Sequence, residues 1–526
     1  MSVELLTAPN RHATAPTPVA VIDIGTTAIR MALAEIRQDG QVRPGTTLSQ
    51  AVSLGKDTFT RGIIEKSTIE ESVRVLRSYQ RILQEHQIER PDQLRCVATS
   101  AVREAQNRMA FVDRIYSATG ITVTPIDEAE VNRITYLGVQ PLLRSDPQLC
   151  ERRTVVTEVG GGSTELLLVH GADVLFSHSY RLGSLRLRQT LDAYHAPQST
   201  TRRIMETQIN RIIEQLLPQV PAETAEELVA LGGDVRFAAK QLVPDAKPDG
   251  ITRLPLARLE QLTETVLSLN EDKLVHRYHI SFQDAATLGP ALLAYVQLCR
   301  AFELSNLVVA NVNLRDGLLT EMATRGALSE DFANQVRRSA VDLGRRFDFD
   351  EPHAKHVAKL CKILFQNLRE DHRLEPRYEL LLSVAAILHE IGLFVSTGSY
   401  HKHTMYLIQN SELFGLSRSD VALIALTARY HRRSSPKPTH PHYAALSRDQ
   451  RIAVAKMAAL LRVADALDAA HHQRLHELRI VRESGRLVIS VPQVDDLSLE
   501  QLALRQTGSL FEETFGMPVL LRKMRP

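Results

Sequence analysis

The stretch TVVTEVGGGSTELLLVH, residues 154–170, places three consecutive glycines between two apolar runs. Apolar runs of this length separated by glycine predict two strands joined by a tight turn. Glycine loses more conformational entropy on folding than other residues do, so the triplet Gly160–Gly162 needs a local reason. Successive peptide N–H groups without neighbouring Cβ atoms can converge on an anion. The stretch therefore predicts a phosphate-binding turn.

The same construction occurs about 130 residues earlier, in PVAVIDIGTTAIRMALAEI, residues 18–36. That apolar run is interrupted at Gly25, and in both stretches an acid precedes the glycine by two positions, Asp23 in one and Glu158 in the other. A single acid-x-Gly hairpin is common and indicates little by itself. The matched pair predicts two related α/β halves that face one another across a shared crevice.

Composition describes an ordinary globular chain. Its 526 residues are 44% hydrophobic and 24% charged, and such a length predicts three or four domains. Lys and Arg number 63 against 61 Asp and Glu, so the charge balance indicates neither a nucleic-acid nor a membrane partner. Four dispersed cysteines, no signal-peptide pattern and no long apolar run lead us to expect a cytoplasmic protein.

Changes in composition and in hydrophobic periodicity along the sequence predict five segments. Residues 1–17, rich in Ala, Thr and Pro, are expected to be a flexible leader. Two α/β domains follow, over 18–140 and 141–328. Helical periodicity and many histidines then predict a helical domain over 329–474, and a last shift in composition predicts a small α/β module over 475–526.

The residues of both turns suit a chain of phosphates. Hydroxyl groups beside the first glycine add donors to the backbone groups of the second turn. The phosphate-binding candidates are Gly25, Thr26, Thr27, Gly160, Gly161, Gly162 and Ser163.

The carboxylates beside these turns predict a metal ion. Asp23, Glu158 and Glu165 would repel phosphate directly, so they make sense around a hard cation such as Mg²⁺, with Mn²⁺ as the alternative. Phosphates, carboxylates and a divalent cation together are typical of phosphoryl transfer.

Seven segments carry a family resemblance: VIDIGTTAIRMAL, VATSAVREAQN, AEVNRITYLGV, TEVGGGSTELLLV, YRLGSLRL, ALGGDVRF and NVNLRDGLL. In order and approximate spacing, from Val19 to Leu319, the chain resembles the exopolyphosphatase/guanosine pentaphosphate phosphohydrolase (Ppx/GppA) family. The resemblance implies a duplicated actin-like (ribonuclease-H-type) fold with its active site in the cleft between the halves. It also implies a homodimer.

The resemblance assigns further roles. Glu130 matches the glutamate that activates the attacking water, and Arg103 matches an arginine that binds phosphate. Thr164 and the pair Gly232–Gly233 would complete the set of phosphate-binding residues. The residues alone leave simpler readings open, because Arg103 could be a solvated helix residue and Glu130 an acid at a helix start.

The chain also departs from the family pattern. Glu158 replaces the usual Asp, and Gly25-Thr26-Thr27-Ala28 replaces Gly-Ser-Asn-Ser. Glu130-Val131-Asn132 replaces Glu-Glu-Ala, and Asp234 replaces a frequent Thr. Together these changes predict that weakened or altered activity is an alternative to full activity.

The histidine-rich half suggests a second metal site. LLLSVAAILHEIG, residues 380–392, resembles the signature of HD-domain phosphohydrolases, and the candidate ligands are His356, His389, Glu390 and Asp465. Glu390 stands where that signature has Asp, so a remnant fold without metal is the alternative.

Residues 429–451 contain six Lys/Arg and one Asp, and we read them as a solvated loop or as a basic lip that steers a polyanion.

The leading functional hypothesis is an exopolyphosphatase that releases terminal orthophosphate from inorganic polyphosphate. The same site acting on guanosine pentaphosphate (pppGpp) is the nearest alternative. A non-catalytic sensor of polyphosphate or an alarmone is another, whereas a sugar kinase or hydrolysis by the HD-like module alone is less favoured. No membrane and no specific nucleic acid is expected as a partner.

Overall fold

The computed structural model describes residues 16–171, 173–193, 198–220, 224–245, 250–324, 330–432, 434–492 and 496–524. The chain forms two compact units, residues 1–327 and 328–526. Nearly all of the leader predicted over residues 1–17 lies outside the described residues.

The first unit contains eleven described strands: β1 (Thr17–Ile24), β2 (Ala28–Ile36), β3 (Val42–Ala51), β4 (Leu94–Ala98), β5 (Thr124–Pro125), β6 (Arg153–Val159), β7 (Thr164–His170), β8 (Asp173–Tyr180), β9 (Glu227–Leu231), β10 (Ile251–Pro255) and β11 (Asn306–Ala310). Its described helices are α1 (Leu54–Arg61), α2 (Lys66–Glu85), α3 (Ser100–Glu104), α4 (Arg108–Thr119), α5 (Glu128–Ser145), α6 (Pro147–Glu151), α7 (Ser184–Ala193), α8 (Gln198–Leu216), α9 (Gly233–Leu242), α10 (Leu256–Ser268), α11 (Glu271–Tyr278), α12 (Phe282–Ala301) and α13 (Leu314–Ala323). A 3-10 turn, Pro91–Gln93, precedes β4.

The first sheet has the strand order β3-β2-β1-β4-β5. Strands β1, β2 and β3 form an antiparallel meander, and β4 and β5 continue the sheet in parallel with β1. Alternate residues of β1 enter different cores: Ile22 packs on the side of Leu76, whereas Val21 packs on the side of Ile134 and Leu318. Helices therefore cover both faces of the sheet, as its apolar strands require.

The second sheet repeats this plan, with the order β10-β11-β9-β6-β7-β8. Strands β6, β7 and β8 form the antiparallel meander, and β9 and β11 continue it in parallel. Strand β10 is an additional antiparallel edge. The predicted duplicated α/β fold is confirmed, since both glycine-interrupted stretches are the first hairpins of equivalent sheets.

One helix prediction needs correction. The segment LRCVATSAVREAQNRMAFVDRIY, residues 94–116, predicts a strand and then one helix capped by Thr99 or Ser100, but the structure has two helices, α3 and α4. The Asn107 side chain between them accepts from the N–H of Ile64 at 2.9 Å and donates to its carbonyl at 2.8 Å. These bonds hold the chain in a non-helical link because the amide pairs with a distant backbone.

The second unit is mainly helical, as predicted. Its described helices are α14 (Glu330–Arg346), α15 (Glu351–Asn367), α16 (Arg369–His372), α17 (Arg377–Leu388), α18 (Tyr400–Gln409), α19 (Arg418–Arg429), α20 (Pro441–Ala444), α21 (Arg448–Ala466), α22 (Ser498–Thr507) and α23 (Ser509–Phe515), with a 3-10 turn at Ile391–Phe394. Its sheet has the order β12-β13-β14, formed by β12 (Arg479–Glu483), β13 (Arg486–Val491) and β14 (Val519–Lys523).

The basic stretch 429–451 is not continuously extended, because α20 and the start of α21 lie within it. Among the described residues, no helix is both long enough and apolar enough to cross a membrane.

Candidate active site

The two glycine turns meet in a cleft of about 380 Å³ within the first unit. A Cβ atom added to Gly161 would lie 2.9 Å from Cγ2 of Thr26, and one added to Gly162 would lie 2.3 Å from Oγ of Ser100. Glycine is therefore required here by close approach between the halves. The crevice predicted between the turns is present.

The backbone of the second turn is fixed in a way that suits anion binding. The Gly160 carbonyl accepts from the N–H of Ser184 at 2.9 Å, and the Gly161 carbonyl accepts from the N–H of Arg186 at 3.0 Å. The Gly162 carbonyl accepts from Nε of Arg186 at 2.9 Å. Because a trans peptide directs its N–H opposite to its C=O, the N–H groups that follow these carbonyls point away from α7.

The three predicted metal-ligand carboxylates line this cleft together. Glu158 on β6 is paired with Glu165 on β7, and the equivalent partner of Asp23 on β1 is Arg30 on β2. Asp23 is 8% exposed, and its Oδ1 has no hydrogen-bond partner among the described residues. Its Oδ2 lies 3.4 Å from a guanidinium nitrogen of Arg315.

Burial controls the protonation of the acids on the second hairpin. It raises the pKa of Glu165 to about 7, although the Ser163 hydroxyl, which donates to Oε1 at 2.6 Å, opposes the shift. Burial also raises the pKa of Glu158, against the attraction of Arg236. Glu165 can therefore exchange a proton near neutral pH.

Arginines supply the positive charge of the cleft, and three of them were not identified from the sequence. Arg30, Arg236 and Arg315 line it together with the predicted Arg103. All three lie in segments that carry the family resemblance: Arg30 in VIDIGTTAIRMAL, Arg236 in ALGGDVRF and Arg315 in NVNLRDGLL. Guanidinium groups are well suited to phosphate oxygens.

Arg103 is held at the edge of the cleft. It donates to the Ile126 carbonyl at 3.1 Å and lies 3.4 Å from Glu128. Its Nε is buried without a hydrogen-bond partner among the described residues.

Glu130 is not brought into the cleft. Its carboxylate lies 3.5 Å from Arg95 and 4.0 Å from Arg133, away from the residues that line the cavity. The neighbouring Val131 lines the cleft instead. Asp127 caps α5 by accepting from the N–H of Glu130, and this cap helps to fix which residues of the first turn face inward.

The remaining residues predicted to bind phosphate divide into those that line the cleft and those that do not. Gly232 and Gly233 line the cleft, and Gly232 adopts φ 110°, a conformation that favours glycine. Gly25, Thr26, Thr27 and Ser163 also line it. Thr164 does not, because its hydroxyl donates to the Leu182 carbonyl.

A second cluster of candidate ligands lies inside the helical unit. Nε2 atoms of His353 and His389 each lie 3.5 Å from Oδ1 of Asp465. Nδ1 of His353 is 2.8 Å from Asp468, and Nδ1 of His389 is 2.7 Å from the Ala386 carbonyl. These contacts orient both Nε2 atoms toward the same carboxylate.

One predicted ligand lies outside this cluster. His356 does not join the cluster, and its ring instead packs edge-on against His476, with centroids 5.3 Å apart. His353, one turn earlier on α15, takes that place. Glu390 forms a neighbouring group of candidate ligands with His353 and His471, and one of its oxygens accepts from Tyr400 at 3.2 Å.

Burial opposes a charge on His353, but hydrogen bonds to Asp465 and Asp468 raise its pKa to about 10. Burial similarly opposes ionisation of Asp465, yet His353 and His389 lower the pKa of that carboxyl. A proton on these histidines therefore balances the buried acids when no cation is bound.

Comparison with known proteins follows the same division of the chain. Residues 36–326 match the model of the Ppx/GppA phosphatase family, and residues 336–507 match domain III of Ppx/GppA phosphatases. The helical unit is thus matched as domain III, and the HD-like identity predicted for it is not confirmed.

A curated relative, the guanosine-5'-triphosphate,3'-diphosphate pyrophosphatase of Photobacterium profundum, is 24% identical over 517 residues, covering 96% of this chain and 98% of that protein. A solved exopolyphosphatase from Cytophaga hutchinsonii is 21% identical, with a TM-score of 0.53, and the match covers 59% of this chain and 98% of that one. The models of a phosphatase family that match more than half of the chain support a hydrolase of phosphoric anhydrides. The chain belongs to the Ppx/GppA phosphatase family.

Proposed function

We propose that the cleft removes the terminal phosphate from a chain of phosphoric anhydrides, in inorganic polyphosphate or in guanosine pentaphosphate. The observation that carries the proposal is the meeting of two glycine turns, four arginines and the three carboxylates predicted as metal ligands in one cavity. In such a site catalysis consists mainly of positioning and charge neutralisation. Names of relatives support both substrates, since one is called an exopolyphosphatase and another a guanosine pentaphosphate pyrophosphatase.

The arginines and the backbone bind the substrate in this mechanism. Arg103, Arg236 and Arg315 neutralise phosphate oxygens, and the N–H groups after Gly160 hold the phosphate that is to be transferred. These groups are fixed before the substrate arrives, so little reorganisation is needed in the transition state.

We assign the water-activating base to Glu165. The family resemblance assigned this role to Glu130, but its carboxylate lies with Arg95 and Arg133 outside the cavity lining. Glu165 lines the cavity, is 7% exposed, and is oriented by the Ser163 hydroxyl. A base with a pKa near the working pH is well matched to taking a proton from water.

The residues present fit a divalent cation. Asp23 offers a buried oxygen without a hydrogen-bond partner in the described structure, and Glu158 adds a second carboxylate beside it. Asp23 and Glu158 would hold Mg²⁺ or Mn²⁺, whereas Glu165, the third carboxylate predicted from the sequence as a ligand, stays free to accept the proton. The bound ion would supply neutralisation of the phosphate charge.

A second candidate function is a sensor that binds the same ligands without turnover. Val131 favours it, because this side chain lines the cleft where the family doublet has its second glutamate. A valine cannot accept a proton.

Phosphate release decides between these functions. The purified full-length protein is incubated with Mg²⁺ or Mn²⁺ and either long-chain polyphosphate or guanosine pentaphosphate, and orthophosphate is measured. We expect release from at least one compound. Tight binding of either compound without release identifies the sensor. If the protein neither binds nor hydrolyses either compound, both proposals are contradicted.

The pH dependence of turnover tests the base. Glu165 must be ionised to accept a proton, and burial raises its pKa to about 7. We therefore expect kcat/KM to rise with pH and to level off above about pH 7. Rate measurements from pH 5 to pH 9 check this. A value of kcat/KM that is constant over that range contradicts the assignment to Glu165. Glu130→Gln is expected to keep the midpoint of the pH profile of the wild type.

We also propose a metal site in the helical unit, formed by His353, His389 and Asp465. Two imidazole nitrogens and a carboxylate suit a transition metal better than Mg²⁺. The orientation of both rings by Asp468 and the Ala386 carbonyl is the observation that favours it.

Metal content tests this second site. The full-length protein, loaded with Mn²⁺ or Fe²⁺ and then desalted, is expected to retain about one ion more than His353→Ala. His356→Ala is the matched control, since that histidine lies on the same helix outside the cluster, and it should retain the ion. Equal metal content in the wild type and His353→Ala contradicts the site.

The cytoplasmic location and the homodimer stay predictions.

A further inference from the structure

One arginine of the first unit contacts both halves of the duplicated fold without lining the cleft. Arg186 lies in the segment YRLGSLRL, in the first turn of α7, and belongs to the half that contains β6–β11. Its side chain is 20% exposed. Because a guanidinium covered to this extent must be satisfied by acceptors of the protein, its partners indicate what it does.

Arg186 fixes the second glycine turn. Its backbone N–H donates to the Gly161 carbonyl at 3.0 Å, and its Nε donates to the Gly162 carbonyl at 2.9 Å. Each carbonyl shares a rigid peptide plane with the N–H of the next residue, so these two bonds set the directions of the N–H groups of Gly162 and Ser163. In the proposed function, those N–H groups hold the phosphate that is transferred.

The same guanidinium reaches the half that contains β1–β5. Its Nη2 donates to Oε1 of Glu104, on α3, at 2.7 Å, and its Cζ lies 4.0 Å from the centroid of the Phe59 ring, on α1. A charge-assisted hydrogen bond and a cation–π contact hold one planar group against two different elements. Arg186 therefore ties the glycine turn of one half to two helices of the other.

The helix that carries Glu104 also carries residues of the cleft. Ser100 and Arg103 lie on α3 and line the cavity, and Glu104 follows Arg103 directly. A helix of five residues has too few internal hydrogen bonds to hold its own position. The contact at Glu104 therefore helps to hold the backbone from which the predicted phosphate-binding arginine extends.

We propose that Arg186 is a positioning residue for phosphoryl transfer, which locks the second glycine turn to α3 so that the turn and Arg103 act on the same phosphate. This inference rests on the proposed hydrolysis in the cleft. Arg186 does not touch the substrate and acts through Gly162 and Glu104. Without it, the arginines that bind the substrate remain, but the N–H groups of the turn are no longer held in place for the transition state.

Steady-state kinetics of orthophosphate release by the full-length protein test this role. We expect Arg186→Gln to lower kcat about 30-fold and to change KM by less than about threefold, because it disturbs the geometry of transfer and not the binding of the substrate. Glu104→Ala should lower kcat about tenfold, since the bonds from Arg186 to the turn remain. The double variant should be no slower than Arg186→Gln alone, because Glu104 acts through Arg186.

Arg188→Gln is the matched control. Arg188 lies two positions further along α7, is paired with Asp192 at 3.3 Å and with Glu271 at 3.0 Å, and lies outside the cleft lining. Both partners belong to the same half as Arg188 itself, on α7 and α11. We expect its kcat and KM to stay within about twofold of the wild type, since exposed ion pairs contribute little.

Amide hydrogen exchange of the free protein gives a readout that does not depend on activity. Peptides that cover residues 159–166 and 99–107 report on the glycine turn and on α3. We expect Glu104→Ala to speed exchange in the first peptide about threefold or more, and Arg186→Gln to do the same in the second. Each effect appears in the half that was not altered, whereas local damage would stay in the altered half. Arg188→Gln should change neither peptide.

Three results overturn the positioning role. These are no change of exchange in the unaltered half, a fall in kcat no larger than that of Arg188→Gln, and a raised KM with an unchanged kcat. Glu104→Ala leaves α7 and the turn unaltered, so it tests the contact even if Arg186→Gln does not fold. If the wild type releases no orthophosphate from either compound, the proposed enzyme is contradicted, and the exchange measurement still decides whether Arg186 couples the two halves.

Discussion

Glu165→Gln is expected to lower kcat by about 10³-fold, the usual contribution of a positioned general base, while leaving substrate binding largely intact. Glutamine keeps the size of the side chain and can still pair with the Ser163 hydroxyl, which now donates to Glu165 at 2.6 Å. What the variant loses is the ability to take a proton. Orthophosphate release and equilibrium binding of guanosine pentaphosphate, measured on the same preparation, check both parts.

Glu130→Gln is the matched control, because it makes the same chemical change 35 positions earlier at a glutamate that faces Arg95 and Arg133. We expect it to retain a rate within a few fold of the wild type. If Glu130→Gln abolishes turnover and Glu165→Gln does not, the water-activating role belongs to Glu130, as the family resemblance implied.

Gly183→Ala is expected to abolish activity and to reduce the free energy of unfolding by about 3 kcal/mol, the upper part of the range for an overpacked site. A Cβ atom at this position would lie 2.3 Å from the Gly161 carbonyl oxygen and 2.4 Å from the Gly162 carbonyl carbon. Both atoms belong to the backbone of the second glycine turn, so neither can rotate away. The turn itself must move, and the phosphate-binding groups move with it.

Gly233→Ala provides the comparison for this variant. A Cβ atom there would meet nothing within 4 Å, and Gly233 has no positive φ. We expect native stability and substantial activity. Denaturant unfolding and phosphate release on both variants test the pair, and a Gly183→Ala protein with native activity would show that the turn tolerates displacement.

The hairpins could be predicted from the sequence because each depends on local information. Apolar runs interrupted by Gly25 and by Gly160–Gly162 specify strand, turn and strand. Their meeting in one cleft followed from the duplication. Asp23, Glu158 and Glu165 could be identified because each lies within or next to a strand whose position the pattern determined.

Side-chain direction on helices could not be predicted in the same way. Glu130 and Val131 are neighbours, and only the capping and packing of α5 determine which one faces the cleft. His353 and His356 lie one turn apart on α15, yet only the first meets His389 and Asp465. On a helix, side chains one residue apart differ in direction by about 100° and those three residues apart by about 60°, so a motif match cannot distinguish such neighbours.

The arginines of the cleft were missed for another reason. Arg30, Arg236 and Arg315 come from three separate parts of the chain, and only the tertiary fold brings them to one cavity. A single arginine carries no pattern that distinguishes a ligand-binding residue from a solvated one. Their role became visible only when their positions around Asp23 and Glu158 were known.

The two equivalent hairpins differ in charge at one pair of facing positions, because Arg30 stands opposite Asp23 whereas Glu165 stands opposite Glu158. Two identical hairpins would give a cavity with twofold symmetry, in which a linear polyanion could thread equally well from either end. Exchanging one cation for one anion removes that equivalence and gives the cavity a polarity. A phosphate chain bound there would have one end nearer the cation and the other nearer the anion, although both lobes share the same plan.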